Sequence, residues 1–436
     1  MTALAPTFQD KALCMTFDGK KLKQGLTADS GDIDLLGFED GKSLLEKQAD
    51  LELEIDRYNI VLRLFSKYDL NDNVNNLTDE EKEQVINDLK LTHKKVSMNL
   101  KEAREIKEKK EYARKKFEER GGKDWRNGKF VFVISAIDAF VYELNQYIDN
   151  SFNIISDICN CLAYIQNSLG TYVSGHSVDV TSHSRYIPVE KNESPGTRQI
   201  KQRTPGWFEL RNKAKVTGSV FYNAIGLDGL KKQREHFLKV ICGQQETAPS
   251  EEALKNMEYG TKNEINATAT LIGKILPVYE PQLVYQEEGC ITFDENNSPF
   301  LVVSPDGSLK DKVAGETKMA VEFKCPVKKI HTEFPVRYYL QCISEIEALD
   351  VEQLLYVCWR PDITTAFIVS RDTETFREAL TLAREFLNEK FSKRPTKLDT
   401  RTKTLKEKIK KIILKVEFLG EFQSIAAGGG ECLDNR

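Results

Sequence analysis

Apolar side chains recur at helical spacing from Ser43 to Tyr68, at Leu44, Leu51, Ile55, Tyr58, Leu62 and Phe65, which predicts a helix there. A second helix is expected from Thr78, which forms a capping-box pattern with Glu81, to Gly121-Gly122. Lysine and glutamate dominate its text, so it reads as a solvated helix or as one arm of a coiled-coil-like hairpin with the preceding segment. A third helix is predicted from Ala136 to Leu169. Residues 1–40 show little periodicity and read as a poorly ordered lead-in, leaving 41–169 as a helical, partly coiled-coil-like domain.

Residues 170–203 are rich in Ser, Thr, Gly and Pro and mark a linker. Beyond it the pattern changes. Helical text covers about 206–275, and then runs of strand length appear: QLVYQEEGCITF, PFLVVSPDG and MAVEFKC. A helix is expected across TEFPVRYYLQCISEIEAL, followed by the β-rich runs QLLYVCWR and TTAFIVS and a helix through TFREALTLAREFLNEKF. This predicts an α/β domain over 204–395, preceded by a mainly α-helical N-terminal domain. Residues 396–436 are strongly basic and then Gly-rich, and read as a basic helical tail, solvated, with a flexible C-terminus.

Composition narrows the setting. Hydrophobic residues make up 40% of the 436, enough for real cores, and charged residues 30%. The start of the chain lacks the pattern of a signal peptide, and no run is long and apolar enough to span a membrane. Nine scattered cysteines fit reduced thiols, so an intracellular setting, nucleus or cytoplasm, is expected. Neither the Cys159/Cys161 pair nor the five histidines make a zinc pattern, so any metal site must be built from carboxylates, which suit magnesium or manganese. The net charge of −4 means that a nucleic-acid surface would have to be locally basic, drawing on Lys213, Lys215, Lys328, Lys329 or Arg337.

Several residue patterns in the second half bear on chemistry. In the strand AVEFKC, Glu322 and Lys324 share one face and Val321, Phe323 and Cys325 the other, as in any amphipathic strand with a wet face. Asp306, in SPDGS, reads as part of a hairpin turn, and that hairpin could bring it opposite Glu322 and Lys324. Two carboxylates and an ammonium at one point suit metal-assisted phosphodiester hydrolysis. Met257, Gly260, Glu264, Ala267 and Leu271 fall on one helical face, placing Glu264 in an apolar stripe, either at its edge or as a third carboxylate on the same site. Gly260 would allow another backbone to approach closely. Gln341 lies beside Leu340 and Ile343, either as a core-edge amide or as an orienting group. Trp207 and Leu210 look like core anchors, Arg211 is available for a phosphate, and Thr217-Gly218-Ser219 looks like a helix start that can also hold an anion.

The order of these elements is W-x-x-x-R, T-G-S, G-x-x-x-E, P-D-G, E-x-K, then Gln in the next helix. In this order the segment from about Thr204 to Ser392 resembles the YqaJ viral-recombinase, lambda-exonuclease-like family of the PD-(D/E)XK nuclease superfamily. The resemblance implies a restriction-endonuclease-like core, a mixed sheet flanked by helices. It implies Glu264, Asp306, Glu322 and the Phe323 carbonyl as ligands of Mg2+ or Mn2+. It implies Asp306, Glu322, Lys324 and Gln341 as catalytic residues, and Arg211 and Ser219 as the pocket for a 5′-terminal phosphate. The expected activity is 5′-to-3′ exonuclease digestion of linear double-stranded DNA in recombination or end processing. The alternatives are an endonuclease of the same superfamily and a non-catalytic DNA-binding or assembly module. Expected partners are duplex DNA with a free end, a single-strand annealing protein and further copies of the chain in a ring, with no membrane. Pro326, directly after the catalytic strand, departs from the pattern and ends that strand early.

Overall fold

The structure is a computed structural model that describes residues 78–121, 129–165, 177–189, 198, 200–244, 249–388 and 393–427. The lead-in 1–40 and the helix expected over Ser43–Tyr68 lie outside these residues, as does the Gly-rich end. Contacts divide the chain into two units, Met1–Ile154 and Ile155–Arg436.

The first unit holds α1 (Asp79–Gly121) and most of α2 (Lys129–Ile165). The capping box forms as the spacing predicts: the Glu81 N–H donates to Thr78 Oγ1 (3.3 Å) and the Thr78 N–H to a Glu81 carboxylate oxygen (2.9 Å). Leu89, Val96, Leu100 and Ala103 form a buried stripe along α1, which sets aside the fully solvated of its two readings. Arg114, near the end of α1, donates to Asp138, near the start of α2, tying the two into a hairpin.

The second unit is mixed α/β. Among the described residues its main sheet has seven strands in the order β11-β10-β9-β8-β7-β4-β2. These are Glu417–Phe422, Thr364–Ser370, Gln353–Trp359, Thr317–Lys324, Gly307–Asp311, Leu283–Glu287 and Tyr186–Ile187. A three-stranded sheet lies in the order β3-β6-β5 (Val216–Thr217, Ser298–Val303, Ile291–Glu295), and β1 (Ser177–Val178) pairs with β12 (Ala426–Ala427). The helices are α3 (Pro205–Lys213), α4 (Gly218–Ala224), α5 (Leu230–Cys242), α6 (Glu251–Thr270), α7 (Tyr339–Leu349), α8 (Thr373–Phe386) and α9 (Thr400–Ile413). A π-turn, Leu271–Ile275, continues α6 into one further turn of α-helix, Leu276–Tyr279.

The strand β8 carries Glu322 and runs parallel to β9 through the centre of the main sheet. Met319 to Phe323 are all buried, so the wet strand face expected for AVEFKC is not there. A strand in a parallel pair, covered on both sides, excludes water from both faces. The hairpin expected at Pro305-Asp306-Gly307 is also absent. β6 pairs with β5 and β3, whereas β7 pairs with β4 and β8, so Asp306 lies where the chain crosses from one sheet to the other. β4 and β5 are separated by a second such crossing, at Glu288–Cys290. The hairpin is instead β7–β8, closed by Asp311 accepting the N–H groups of Val313 (2.8 Å) and Ala314 (2.7 Å).

Other expectations give way for identifiable reasons. The helix of Gln341 begins only at Tyr339, after a 3₁₀ turn at Val336–Tyr338, because Pro335 sits in extended backbone. The basic tail is not a solvated appendage: Leu405 and Ile409 on α9 are fully buried, each contributing roughly 1.5–3 kcal/mol of transfer free energy. The β11 strand then pairs with β10 at the edge of the main sheet. Residues 177–189, read as linker, supply β1 and β2. Trp207 and Leu210 are half-buried, since α3 has no buried residue, and Met257 is 63% exposed.

Candidate active site

The turn at Pro305-Asp306-Gly307 is fixed from both sides. The Asp306 carboxylate accepts the Phe323 N–H of β8 (2.7 Å), its carbonyl accepts the Tyr285 hydroxyl (2.7 Å), and the Pro305 carbonyl accepts Gln202 Nε2 (2.8 Å). A Cβ on Gly307 would stand 2.2 Å from the Tyr285 ring, so the chain can pass here only as glycine. Register places Gly307 opposite Val321, and Asp306 therefore beside the strand segment that carries Glu322 and Lys324.

Glu322 is 1% exposed. One of its carboxylate oxygens accepts both the Lys324 ammonium and the Gln341 amide (2.5 Å). The other, Oε2, is buried and has no hydrogen-bond partner. Gln341 also donates to Glu345 (3.0 Å), one turn further along α7. Lys324 lies 5.0 Å from the centre of the Tyr338 ring. Burial works against the lysine charge, but Glu322 and Asp306 outweigh it and hold Lys324 above the ordinary lysine range, as an ammonium.

Glu264 comes from α6 and is held by Arg203. Burial and the neighbouring Asp306 carboxylate push its carboxyl up to about 7, with Arg203 and Lys324 pulling the other way. Burial, then Glu322, push Asp306 up as well, and the same two causes push up Glu345. A cavity of about 180 Å3 opens among Gln202, Arg203, Glu264, Tyr285, Asp306 and Phe323. A Cβ on Gly260 would stand 3.9 Å from the Cys325 carbonyl oxygen, an ordinary contact, so another backbone does lie against Gly260 but not so closely that it demands a glycine.

Arg211 stacks on Trp207, 4.3 Å from guanidinium to ring, which gives the half-buried tryptophan its role. Arg211 reaches Ser304 Oγ (3.4 Å) and Ser219 Oγ (3.5 Å), and Trp207 Nε1 donates to the same Ser304 oxygen (3.1 Å). Burial lowers the Arg211 pKa, partly offset by the charges of Cys290 and Glu322. A Cβ on Gly218, at the start of α4, would lie 3.7 Å from Gln341 Cγ, so the Arg211–Ser219 corner abuts the Gln341 helix. Of the lysines and arginines considered for a basic channel, Lys213 pairs with Glu209, Lys328 with Glu252, and Arg337 stacks on Tyr338.

The donor set suits a hard divalent cation. Burial and neighbouring carboxylates hold Glu264 and Asp306 above the ordinary carboxyl range, and Glu322 Oε2 is a buried oxygen lacking a donor. Among the described residues no group of three His, Cys, Asp or Glu side chains is arranged to hold a metal ion. Each carboxylate instead has a donor within the protein: Arg203 on Glu264, the Phe323 N–H on Asp306, and Lys324 and Gln341 on Glu322.

Reading the residues alone overlooks three contributors. Glu345 stands at i+4 from Gln341 in an apolar helix, a spacing that puts it on the same face and could have revealed it. Ser304 joins Arg211 to the turn of Asp306, and Arg203 reaches Glu264 across 61 positions of chain. Neither has a local signal.

A fold of this kind, with acids at the divergence of two sheets and an EFK strand at its centre, is PD-(D/E)XK-like. Residues 206–347 match the family model of the YqaJ-like viral recombinase domain. The match supports a nuclease-related role in recombination. No curated protein matches the chain.

Proposed function

We propose that the protein is a metal-dependent deoxyribonuclease that digests linear double-stranded DNA from a 5′ end. The observation that carries this reading is the meeting of Asp306, Glu322, Lys324 and Gln341 next to an arginine–serine corner at Arg211, Ser304 and Ser219. Glu264, Asp306 and Glu322, with the Phe323 carbonyl, would hold Mg2+ or Mn2+. The bound ion supplies polarisation of the phosphate and a more acidic water. Lys324, charged as an ammonium, is a donor rather than a base: it orients the attacking water and offsets charge that develops on the phosphate oxygens. Gln341 spends both of its amide hydrogens on Glu322 and Glu345, which leaves its carbonyl oxygen as the group it can turn towards water. Arg211, kept flat by Trp207, is suited to grip a terminal phosphate with Ser219.

Such an enzyme would leave a 3′ single strand, the substrate of an annealing protein, and a ring of copies would account for processive digestion. An intracellular place of action follows from that role. The test is a paired digestion in Mg2+ of a 5′-phosphorylated linear duplex and of the same DNA as a covalently closed circle. The exonuclease reading expects loss of the linear DNA alone. Cutting of the circle would move the assignment to an endonuclease.

A further inference from the structure

Arg203 lies just before the matched domain and has a backbone φ of 65°, in the left-handed region that side-chain-bearing residues seldom enter. Nothing in its own sequence favours that conformation, so the surroundings must impose it. They are visible. Arg198 makes two 2.6 Å bonds to the buried Glu288, and the Gly289 N–H donates to the Arg198 carbonyl (2.9 Å). A Cβ on Gly289 would stand 2.5 Å from the carbonyls of Arg198 and Ile200, so this strap lies directly on a glycine. Gln202 donates to the carbonyls of Pro305 (2.8 Å) and Glu288 (3.3 Å), and Thr204 Oγ1 to that of Lys201 (2.7 Å). The strap is thereby fastened at both sheet crossings.

What the strap delivers is a guanidinium at the mouth of the acidic cavity, with Lys201 on the same wall. Among the described residues Arg203 makes one hydrogen bond, from Nη2 to Glu264, and its side chain stays 44% exposed. Most of its five N–H donors therefore have no protein acceptor among the described residues. A planar, permanently charged fork beside a carboxylate cluster fits a phosphate diester better than any neutral group.

We propose, resting on the nuclease reading, that Arg203 is a second phosphate-contacting residue, which takes a backbone phosphate of the bound DNA strand at the cavity lined by Glu264 and Asp306. It partners Glu264 when no strand is present. The contact belongs to this chain's strap and not to the matched domain.

The test is binding of a 5′-phosphorylated duplex of about 20 base pairs in Ca2+, which replaces Mg2+ without supporting turnover, across a salt titration. Arg203→Met is expected to weaken binding about tenfold or more and to flatten the slope of log affinity against log salt by about one. Arg203→Lys should recover part of both. A double-mutant cycle with Glu264→Gln separates this role from simple charge balance. A phosphate contact predicts the same loss on removing Arg203 from the Glu264→Gln protein, whereas a mere counter-ion for Glu264 predicts no loss there. Wild-type affinity and slope in Arg203→Met, or a vanished loss in the cycle, overturns the proposal while DNA binding by the wild type keeps the nuclease reading intact. A wild type that binds no duplex overturns both.

Discussion

The carboxylates at the sheet crossing and the arginine corner beside them are held in opposite ways. Glu264, Asp306 and Glu322 are pressed together against their own charge, with burial and mutual repulsion raising Glu264 and Asp306. Arg211, Ser304 and Ser219 form a relaxed lattice of long hydrogen bonds around a stacked guanidinium. The first region gathers negative charge that a bound cation would offset. The second is ready for an anion as it stands. A site that binds a metal and a phosphate together needs both, and they should respond differently to mutation.

The largest difference should appear in activity. Asp306→Asn keeps an oxygen for the Phe323 N–H but removes a charge, and should cut digestion by about a thousandfold or more, roughly 4 kcal/mol of barrier, while melting at or above the wild-type temperature. A stability loss that matches the activity loss would mean that Asp306 is structural. Arg211→Ala should have a smaller effect, about ten- to a hundredfold, confined to 5′-phosphorylated ends, so that the mutant treats phosphate and hydroxyl ends alike. An equal loss on both ends would remove the pocket from the account.

The acid side should also show in pH dependence. A carboxyl raised to about 7 in the folded protein, against the ordinary 4.5, contributes stability that is intact below about pH 4.5 and is lost as pH rises towards 7. Metal-free Glu264→Gln should therefore match the wild type at pH 4 and exceed it by about 3 kcal/mol at pH 7.5, with added Mg2+ closing the gap. Urea unfolding at the two pH values measures this, and a constant difference would show that Glu264 is not under strain. The smallest effect expected is for Gly260→Ala. With the added Cβ in ordinary contact, 3.9 Å from Cys325 O, and a helical backbone, it should stabilise the protein by about 0.5–1 kcal/mol. A loss would indicate that α6 sits closer to β8 than described.

Much of the acid side was legible in the sequence. E-x-K on a strand and P-D-G at the end of an apolar run place three groups within reach, and Gln341 follows at the next helix. The sheet crossings were not legible, because alternation tells which face a side chain takes and not which strand lies beside it. β6 and β7 thus looked like a hairpin although they belong to different sheets. The tail misled through its lysines: Leu405 and Ile409 recur at i and i+4, a core stripe that the charge of their neighbours concealed. Arg203 stayed hidden because its placement depends on Glu288, Gly289 and Pro305, each distant in the chain.

The most direct test of the central claim is incubation of the wild type and Lys324→Ala with a 5′-phosphorylated linear duplex, with and without Mg2+. The expected result is digestion by the wild type only in Mg2+, and none by Lys324→Ala, whose fold and metal-free melting temperature remain measurable. Digestion by Lys324→Ala at the wild-type rate, or by the wild type in the absence of any divalent cation, would contradict the account.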